Sequence, residues 1–120
     1  MKVLNDTIIQ VKLPNRDKAI ISRNKLVKYL LSETHPVGST KARFFRGLGF
    51  NETNIDKLEN ALLKMVRSNN VNKERNFKFG TNYAINGAIE TPSGKTVTIT
   101  SVWFVKTVGS RPSFVTAYPV

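Results

Sequence analysis

The stretch from Gly80 to Val120 decides the fold, and it reads GTNYAINGAIETPSGKTVTITSVWFVKTVGSRPSFVTAYPV. Runs of β-branched and aromatic residues are separated there by two turns rich in Pro and Gly, at residues 91–94 and 108–112. Such runs between turn residues are typical of an antiparallel meander. Period-two alternation places Trp103 on one strand face with Val97, Ile99, Ser101 and Val105. We expect Trp103 in the core, and the alternative is a stacking platform. The free face of the sheet is expected to be rich in hydroxyl groups. The predicted strands cover residues 83–90, 95–106 and 113–119.

The residues before the meander show the apolar periodicity of helices. Leucines at helical spacing predict a first helix over residues 23–32, and Ser22 precedes it as a plausible N-cap residue. A second helix is predicted to begin near Ser39 and to end at Gly49, which suits a left-handed C-cap. Both helices carry lysines and arginines outside their apolar stripes.

The longest helix is predicted over residues 54–67, where an apolar stripe runs through four turns. Thr53 and Asp56 before it have the spacing of a capping box. The polar, Asn-rich residues 68–79 predict a loop, and residues 7–13 predict a short strand from their partial alternation.

Helices followed by antiparallel strands are typical of the α+β class. We expect N-terminal helices packed on one face of a C-terminal antiparallel β-meander of three to five strands. A chain of 120 residues has the size of a single domain. Within residues 1–120, the main domain is predicted at residues 20–120, and residues 1–19 are predicted to form a leader or an edge strand.

The net charge is the strongest feature of the composition. Nineteen Lys and Arg residues against eight Asp and Glu residues give +11. Such an excess favours a polyanionic partner, namely nucleic acid, an acidic membrane surface or an acidic protein. A chain without cysteine forms neither a disulfide nor a thiolate metal site. No apolar run reaches the roughly 18 residues of a membrane span, so no membrane segment is predicted.

His35 is the only histidine, and imidazole is the natural general acid or base near neutral pH. Metal-independent RNA cleavage needs a base for the 2′-hydroxyl, an acid for the leaving oxygen and cations for the charge on phosphorus. His35, Lys41 and Arg111 are residue types that fit these tasks. A His-Pro loop can equally hydrogen-bond a helix end, and Arg111 can equally be a solvated turn residue. No cluster of His, Cys, Asp and Glu has metal-ligand spacing, so no metal or cofactor is predicted.

Cations and hydroxyl groups outside the apolar stripes are the predicted RNA-binding groups, because phosphates need cations and bases stack on sheet faces. On the second helix these cations can equally form a solvated face. The predicted RNA-binding residues are Arg43, Arg46, Lys78, Lys95, Thr98, Thr100 and Lys106.

Residues 35–50 read HPVGSTKARFFRGLGF, which resembles the HP-G-x-x-KA-x-FF-x-x-LG motif of a family of small bacterial domains of unknown function. Phe79-Gly80-Thr81-Asn82-Tyr83 is similar to that family's YGTxY motif. The final strand, Val115-Thr116-Ala117-Tyr118-Pro119, matches its VTAYP ending after a VW pair at Val102-Trp103 and an Arg-Pro turn at Arg111-Pro112. The resemblance runs from about Ile20 to the end of the chain.

Domains of this kind stand alone or form the C-terminal tips of polymorphic or contact-dependent inhibition toxins, and their element order resembles the barnase–EndoU–colicin–RelE class of ribonuclease toxins. The resemblance implies metal-independent cleavage of RNA, often tRNA, through the 2′-hydroxyl. It also implies an acidic immunity or antitoxin partner and a cytoplasmic site of action after delivery from another cell. The matched polar positions, to which we assign catalysis, are His35, Lys41, Arg111, Thr116 and Tyr118. The alternative is a non-catalytic basic module that binds nucleic acid or a protein.

Overall fold

The computed structural model describes residues 2–4, 7–9, 11–34, 39–106 and 110–120. The helices and strands in chain order are β1 (Lys2–Leu4), β2 (Thr7–Ile9), α1 (Arg23–Lys25), α2 (Ser39–Gly47), α3 (Ile55–Ser68), β3 (Lys73–Phe77), β4 (Gly80–Glu90), β5 (Thr96–Val105) and β6 (Ser113–Pro119). The π-helical segment Leu26–Leu30 continues α1 directly, and short 3-10 turns lie at Arg16–Lys18 and Glu52–Asn54.

The four C-terminal strands form one antiparallel sheet in the order β3-β4-β5-β6, which confirms the predicted α+β meander. Trp103 on β5 is buried as predicted, and its indole Nε1 donates a hydrogen bond of 2.8 Å to the Ser101 hydroxyl. The pairing of β5 with β6 shifts at one point, because Trp103 pairs with Phe114 whereas Val102 pairs with Thr116. Such a bulge bends a strand and re-aims its side chains.

The hydrophobic core lies between the helices and one face of this sheet. Leu62 of α3 and Phe45 of α2 are fully buried, together with Ile85, Ile99 and Trp103 of the sheet. The N-terminal helices therefore cover one face, as predicted. The opposite face, which we call the outer face, carries the intervening residues of each strand.

The segment Arg23–Leu30 is helical as predicted, but it is an α-helix only for its first turn. The Leu31 amide then donates to the Leu26 carbonyl at 2.8 Å, which is the wider spacing of a π-helix. Short π segments are rare and frequently lie at functional sites. Ser22 occupies the N-cap position with an extended backbone, but its side chain makes no capping bond.

The predicted capping box of Thr53 and Asp56 is wrong. The box lies at Asn51 and Asn54, whose side chains accept hydrogen bonds of 2.8 Å from the Thr53 amide and the Asn51 amide. The chain enters α3 through an extra 3-10 turn, so capping begins earlier than the apolar stripe indicates. Asp56 instead pairs with Arg23.

The predicted loop at residues 68–79 is also wrong in part, because Lys73–Phe77 forms strand β3. All five residues of β3 are exposed, so the burial pattern that marks a half-buried strand is absent. The predicted strand at residues 7–13 is shorter than expected. Thr7–Ile9 pairs with Lys2–Leu4 in a separate two-stranded ribbon.

Candidate functional site

Three polar side chains from three elements meet beside β6. The ammonium of Lys41, in the first turn of α2, donates a hydrogen bond of 2.7 Å to the hydroxyl of Tyr29. The same hydroxyl lies 3.1 Å from the hydroxyl of Thr116 on β6. We call these residues the Tyr29–Lys41–Thr116 cluster. All three are half-buried, so the cluster is organised by the fold and remains open to solvent.

The local structure explains why these residues converge. Leu26 and Leu30 are buried at the two ends of the π segment, which leaves Tyr29 at the surface between the helices and the sheet. Helix α2 packs against both the π segment and β6, with Ala42 and Phe45 turned into the core. Lys41 therefore points along the side of α2 that meets Tyr29.

The charges around Tyr29 change its acidity. The Lys25 and Lys41 ammonium groups lie 5.4 and 5.3 Å from the centre of its ring. Burial raises the pKa of Tyr29, but the hydrogen bonds to Lys41 and Thr116 and the charges of both lysines lower it by more. The net pKa of Tyr29 therefore lies below its ordinary value of 10.0. A phenol of lowered pKa is a better proton donor, and the neighbouring ammonium groups favour its anion.

The predicted catalytic residues divide into four groups. Lys41 and Thr116 are brought together, with Tyr29 between them. Tyr118 is exposed on the same strand as Thr116, at a spacing of about 7 Å for alternate residues. Arg111 turns towards the N-terminal part of the chain, where its Nε donates to the Lys18 carbonyl at 3.0 Å. His35 lies outside the described residues.

Two of the predicted RNA-binding residues have partners inside the protein. Arg46 forms a two-pronged contact with Glu52 at 2.6 and 2.9 Å, an ion pair with Glu33 at 3.2 Å, and a hydrogen bond to the Leu31 carbonyl. Its guanidinium therefore holds α2 to its surroundings. Thr100 is only 7% exposed and donates a hydrogen bond of 2.7 Å to Asn86 across the outer face.

The other predicted RNA-binding residues are exposed but spread over the surface. Lys78 lies at the β3–β4 turn, with its ammonium 5.5 Å from the ring centre of Phe79. The remaining four are Arg43 on α2, Lys95 in the β4–β5 turn, Thr98 on β5 and Lys106 just after β5.

Tyr29 is the residue that sequence reasoning missed. It lies outside the leucine stripe of the first helix, at a helical spacing of one turn from Lys25. A tyrosine flanked by Lys25 and Lys28 was a usable signal, because a ring between two cations is a common electrostatic arrangement. Its link to Thr116 spans most of the chain, and nothing in the local sequence indicates that contact.

A separate open cavity of about 510 Å³ lies between α3 and the β4–β5 turn. Its lining includes Lys57, Lys64 and Glu90, and it shares no residue with the Tyr29–Lys41–Thr116 cluster. Within the described ranges, no group of three or more His, Cys, Asp or Glu residues could hold a metal ion. No helix in this part of the chain is long and apolar enough to cross a membrane.

The chain belongs to the family described as Domain of unknown function (DUF6883), whose model matches residues 12–120. A comparison with curated proteins found no match. Among solved structures, the chain is similar to one chain of a "Contact-dependent growth inhibition toxin - immunity protein complex from Klebsiella pneumoniae 342". The TM-score is 0.69 at 20% identity, over 88% of this chain and 96% of that chain. At this identity the likeness shows a shared fold.

Proposed function

We propose that the protein is a metal-independent ribonuclease toxin domain that cleaves RNA, tRNA in particular, through the substrate's 2′-hydroxyl. The observation that carries this proposal is the hydrogen bond of Lys41 to Tyr29 at an accessible edge of a strongly cationic domain. A fold shared with one chain of a toxin–immunity complex adds support.

In this reaction the 2′-oxygen attacks phosphorus, the bond from phosphorus to the 5′-oxygen breaks, and a 2′,3′-cyclic phosphate forms. The Lys41 ammonium stabilises the charge that develops on the non-bridging oxygens. Tyr29, with its lowered pKa, donates a proton to the departing 5′-oxygen. His35 removes the proton of the 2′-hydroxyl, and Thr116 orients the Tyr29 hydroxyl through their hydrogen bond.

Affinity for RNA comes from the excess of cations. Arg43, Lys78, Lys95 and Lys106 are exposed, and the chain carries no acidic residue after Glu90. Lysine and arginine contacts with phosphates release counterions, so binding weakens as salt concentration rises. Tyr118 on β6 and Arg111, which precedes β6 and is exposed, extend the phosphate-binding surface on either side of Thr116.

The partner that restrains this activity is an acidic immunity or antitoxin protein that covers the Tyr29–Lys41–Thr116 cluster. A net charge of +11 suits an acidic partner by charge complementarity. The domain acts in the cytoplasm of the cell that it enters, as the C-terminal part of a larger delivered toxin.

The experiment is incubation of the purified protein with total tRNA and rRNA in EDTA, followed by mapping of the cut ends. We expect 2′,3′-cyclic phosphate and 5′-hydroxyl ends, no cut where the mapped position carries a 2′-deoxynucleotide, and a slower reaction with His35→Ala. RNA that stays intact at high protein concentration would contradict the proposed ribonuclease activity. If that RNA were still bound in a salt-dependent way, the protein would be a binding module.

A further inference from the structure

The β3–β4 hairpin carries exposed aromatic rings paired with cations. Phe77 and Phe79 are 46% and 70% exposed, whereas Phe45, Phe50 and Phe114 are buried. The Arg75 guanidinium lies 5.2 Å from the ring centre of Phe77, and the Lys78 ammonium lies 5.5 Å from that of Phe79. Exposed apolar side chains that lie close together, rather than singly, are typical of an interaction surface.

The strand register connects this hairpin to the candidate active site. Arg75 pairs with Asn82, Asn82 with Phe104, and Phe104 with Ser113, so one row of the outer face crosses all four strands. Thr116 pairs with Val102. Val102 and Phe104 are alternate residues of β5 and therefore lie on the same outer face. At about 4.8 Å per strand, the row spans about 14 Å from β6 to β3.

Gly80 lets the Phe104 ring reach across β4 towards the position of Phe77. A Cβ atom at Gly80 would lie 2.5 Å from the Phe104 ring, so only glycine lets that ring lie across β4. Phe77 is the register partner of Gly80. The rings of Phe104 and Phe77 therefore lie on neighbouring positions of one face, at the end of the sheet that carries the β3–β4 turn.

The charge of β3 is divided between its two faces. Arg75 occupies an outer-face position, whereas its neighbour Glu74 pairs with Tyr83 and so falls on the opposite face. The outer side of the hairpin therefore presents cations and rings together. Single-stranded nucleic-acid sites combine these two features, because cations bind the phosphates and rings stack on the bases.

We propose that the surface formed by Arg75, Phe77, Lys78, Phe79 and Phe104, here called the hairpin platform, binds unpaired nucleotides of the RNA substrate. Bases stack on Phe77 and Phe79, while the adjacent RNA backbone follows the outer face towards the Tyr29–Lys41–Thr116 cluster. This inference rests on the proposed function. Paired bases already stack on each other, so the platform selects an RNA loop or an unpaired end.

The test measures binding of a short single-stranded 2′-O-methyl RNA, which lacks the nucleophile, by fluorescence anisotropy. We expect Phe79→Ala to weaken binding about 5- to 100-fold, the range typical of a lost base–ring stack. Phe79→Trp retains binding because it keeps an aromatic face. Phe79→Leu, the matched control, keeps the apolar contact and loses the stack, so it should bind as weakly as Phe79→Ala. A duplex of the same sequence should bind all four proteins equally.

Two results would overturn the platform. Equal binding by the wild type and Phe79→Ala would do so, as would equal binding by Phe79→Leu and the wild type, which indicates an apolar protein-type contact. The proposed function fails separately. If the wild type leaves RNA intact but binds the oligonucleotide through Phe79, the hairpin platform is supported and the ribonuclease activity is contradicted. If the wild type cleaves RNA and Phe79→Ala binds and cleaves equally well, the ribonuclease activity is supported and the hairpin platform is contradicted.

Discussion

The two edges of the four-stranded sheet are built in opposite ways. At the β6 edge, helix α2 and the π segment lie alongside the strand, and Thr116 is tied to Tyr29 and Lys41. The Ile20 segment also meets β6, where it pairs with Ser113 in parallel. At the other edge, every residue of β3 is exposed, and Phe77 and Phe79 face solvent.

This difference separates two requirements of a site that acts on a polymer. Under the proposed function, the chemistry needs polar groups held at fixed distances, and the packed β6 edge holds Tyr29, Lys41 and Thr116 in this way. The proposed recognition of an unpaired RNA strand needs accessible rings and cations, and the open β3 edge exposes both. An exposed edge strand invites unwanted pairing, and cationic side chains such as Lys73 and Arg75 are a common protection against it.

Trp103→Ala should have the largest effect on stability, because both edges depend on the core beneath β5. Removing a fully buried tryptophan typically costs about 3 to 5 kcal/mol. We expect the urea midpoint, followed by circular dichroism, to fall steeply. The proposed RNA cleavage and oligonucleotide binding should be lost together. Trp103→Phe should cost clearly less. A midpoint equal to that of the wild type would show that the two edges do not share this core.

Gly80→Ala should weaken the β3 edge and leave the β6 edge intact. The added Cβ meets the Phe104 ring and the Val105 carbonyl oxygen, both at 2.5 Å. Overpacking of this kind costs about 1 to 3 kcal/mol. Denaturant unfolding and oligonucleotide binding should both decline. The matched control is Gly47→Ala on α2, where a Cβ meets nothing within 4 Å. A Gly80→Ala protein with unchanged stability and binding would contradict the close contact.

Tyr29→Phe should affect only the β6 edge. Lys41 and Thr116 lose a shared partner, which we expect to cost about 1 kcal/mol of unfolding free energy. Because the pKa of Tyr29 is lowered, ultraviolet titration of the wild type should show a tyrosine that ionises below pH 10. That component should disappear in Tyr29→Phe, persist in Tyr83→Phe and move to higher pH in Lys41→Met. If it persisted in Tyr29→Phe, its assignment would be wrong.

The smallest effect concerns the ion pair between Arg46 of α2 and Glu52 of the 3-10 turn that precedes α3. The pKa of Glu52 lies below its ordinary 4.5, first because Arg46 donates a hydrogen bond to it, and also because of a backbone hydrogen bond and the Arg46 charge. A carboxyl with a lowered pKa contributes stability above its ordinary pKa, and this contribution is lost as pH falls through the lowered value.

Urea midpoints measured from about pH 6 to about pH 3 should therefore fall more steeply for the wild type than for Glu52→Gln. Glu90→Gln, in which an exposed carboxyl on β4 is removed, serves as the control. Parallel curves for the wild type and Glu52→Gln would show that the pair does not stabilise the fold.

Most of the fold followed from local patterns. The meander was predictable because its strands alternate in burial and Pro or Gly turns separate them. Helix α3 was predictable because its apolar residues recur at helical spacing, and Leu58, Leu62, Met65 and Val66 are all buried. Strand β3 was missed because an edge strand that is exposed on both faces has no apolar alternation. Its pairing with β4 becomes apparent only in three dimensions.

The candidate site was less predictable than the fold. Lys41 and Thr116 were selected for their residue types and their motif positions, and the structure brings them together. Tyr29 was missed because a tyrosine flanked by lysines is as typical of a solvated helix face as of a functional site. Arg46 shows the converse limit, since a cation chosen for RNA is bound to Glu52 and Glu33. Composition gives the number of cations, and only tertiary contacts show which of them are already paired.

The most direct test of the central claim is the single-turnover rate of tRNA cleavage in EDTA by Lys41→Ala. The matched control is Lys64→Ala, an exposed lysine of α3 that lines the separate cavity. We expect Lys41→Ala to unfold at nearly the wild-type temperature and to cleave about 10²- to 10³-fold more slowly, since it lacks the cation that faces the developing charge. Lys64→Ala should cleave at nearly the wild-type rate. Equal rates for Lys41→Ala and the wild type would contradict the placement of the active site at the β6 edge.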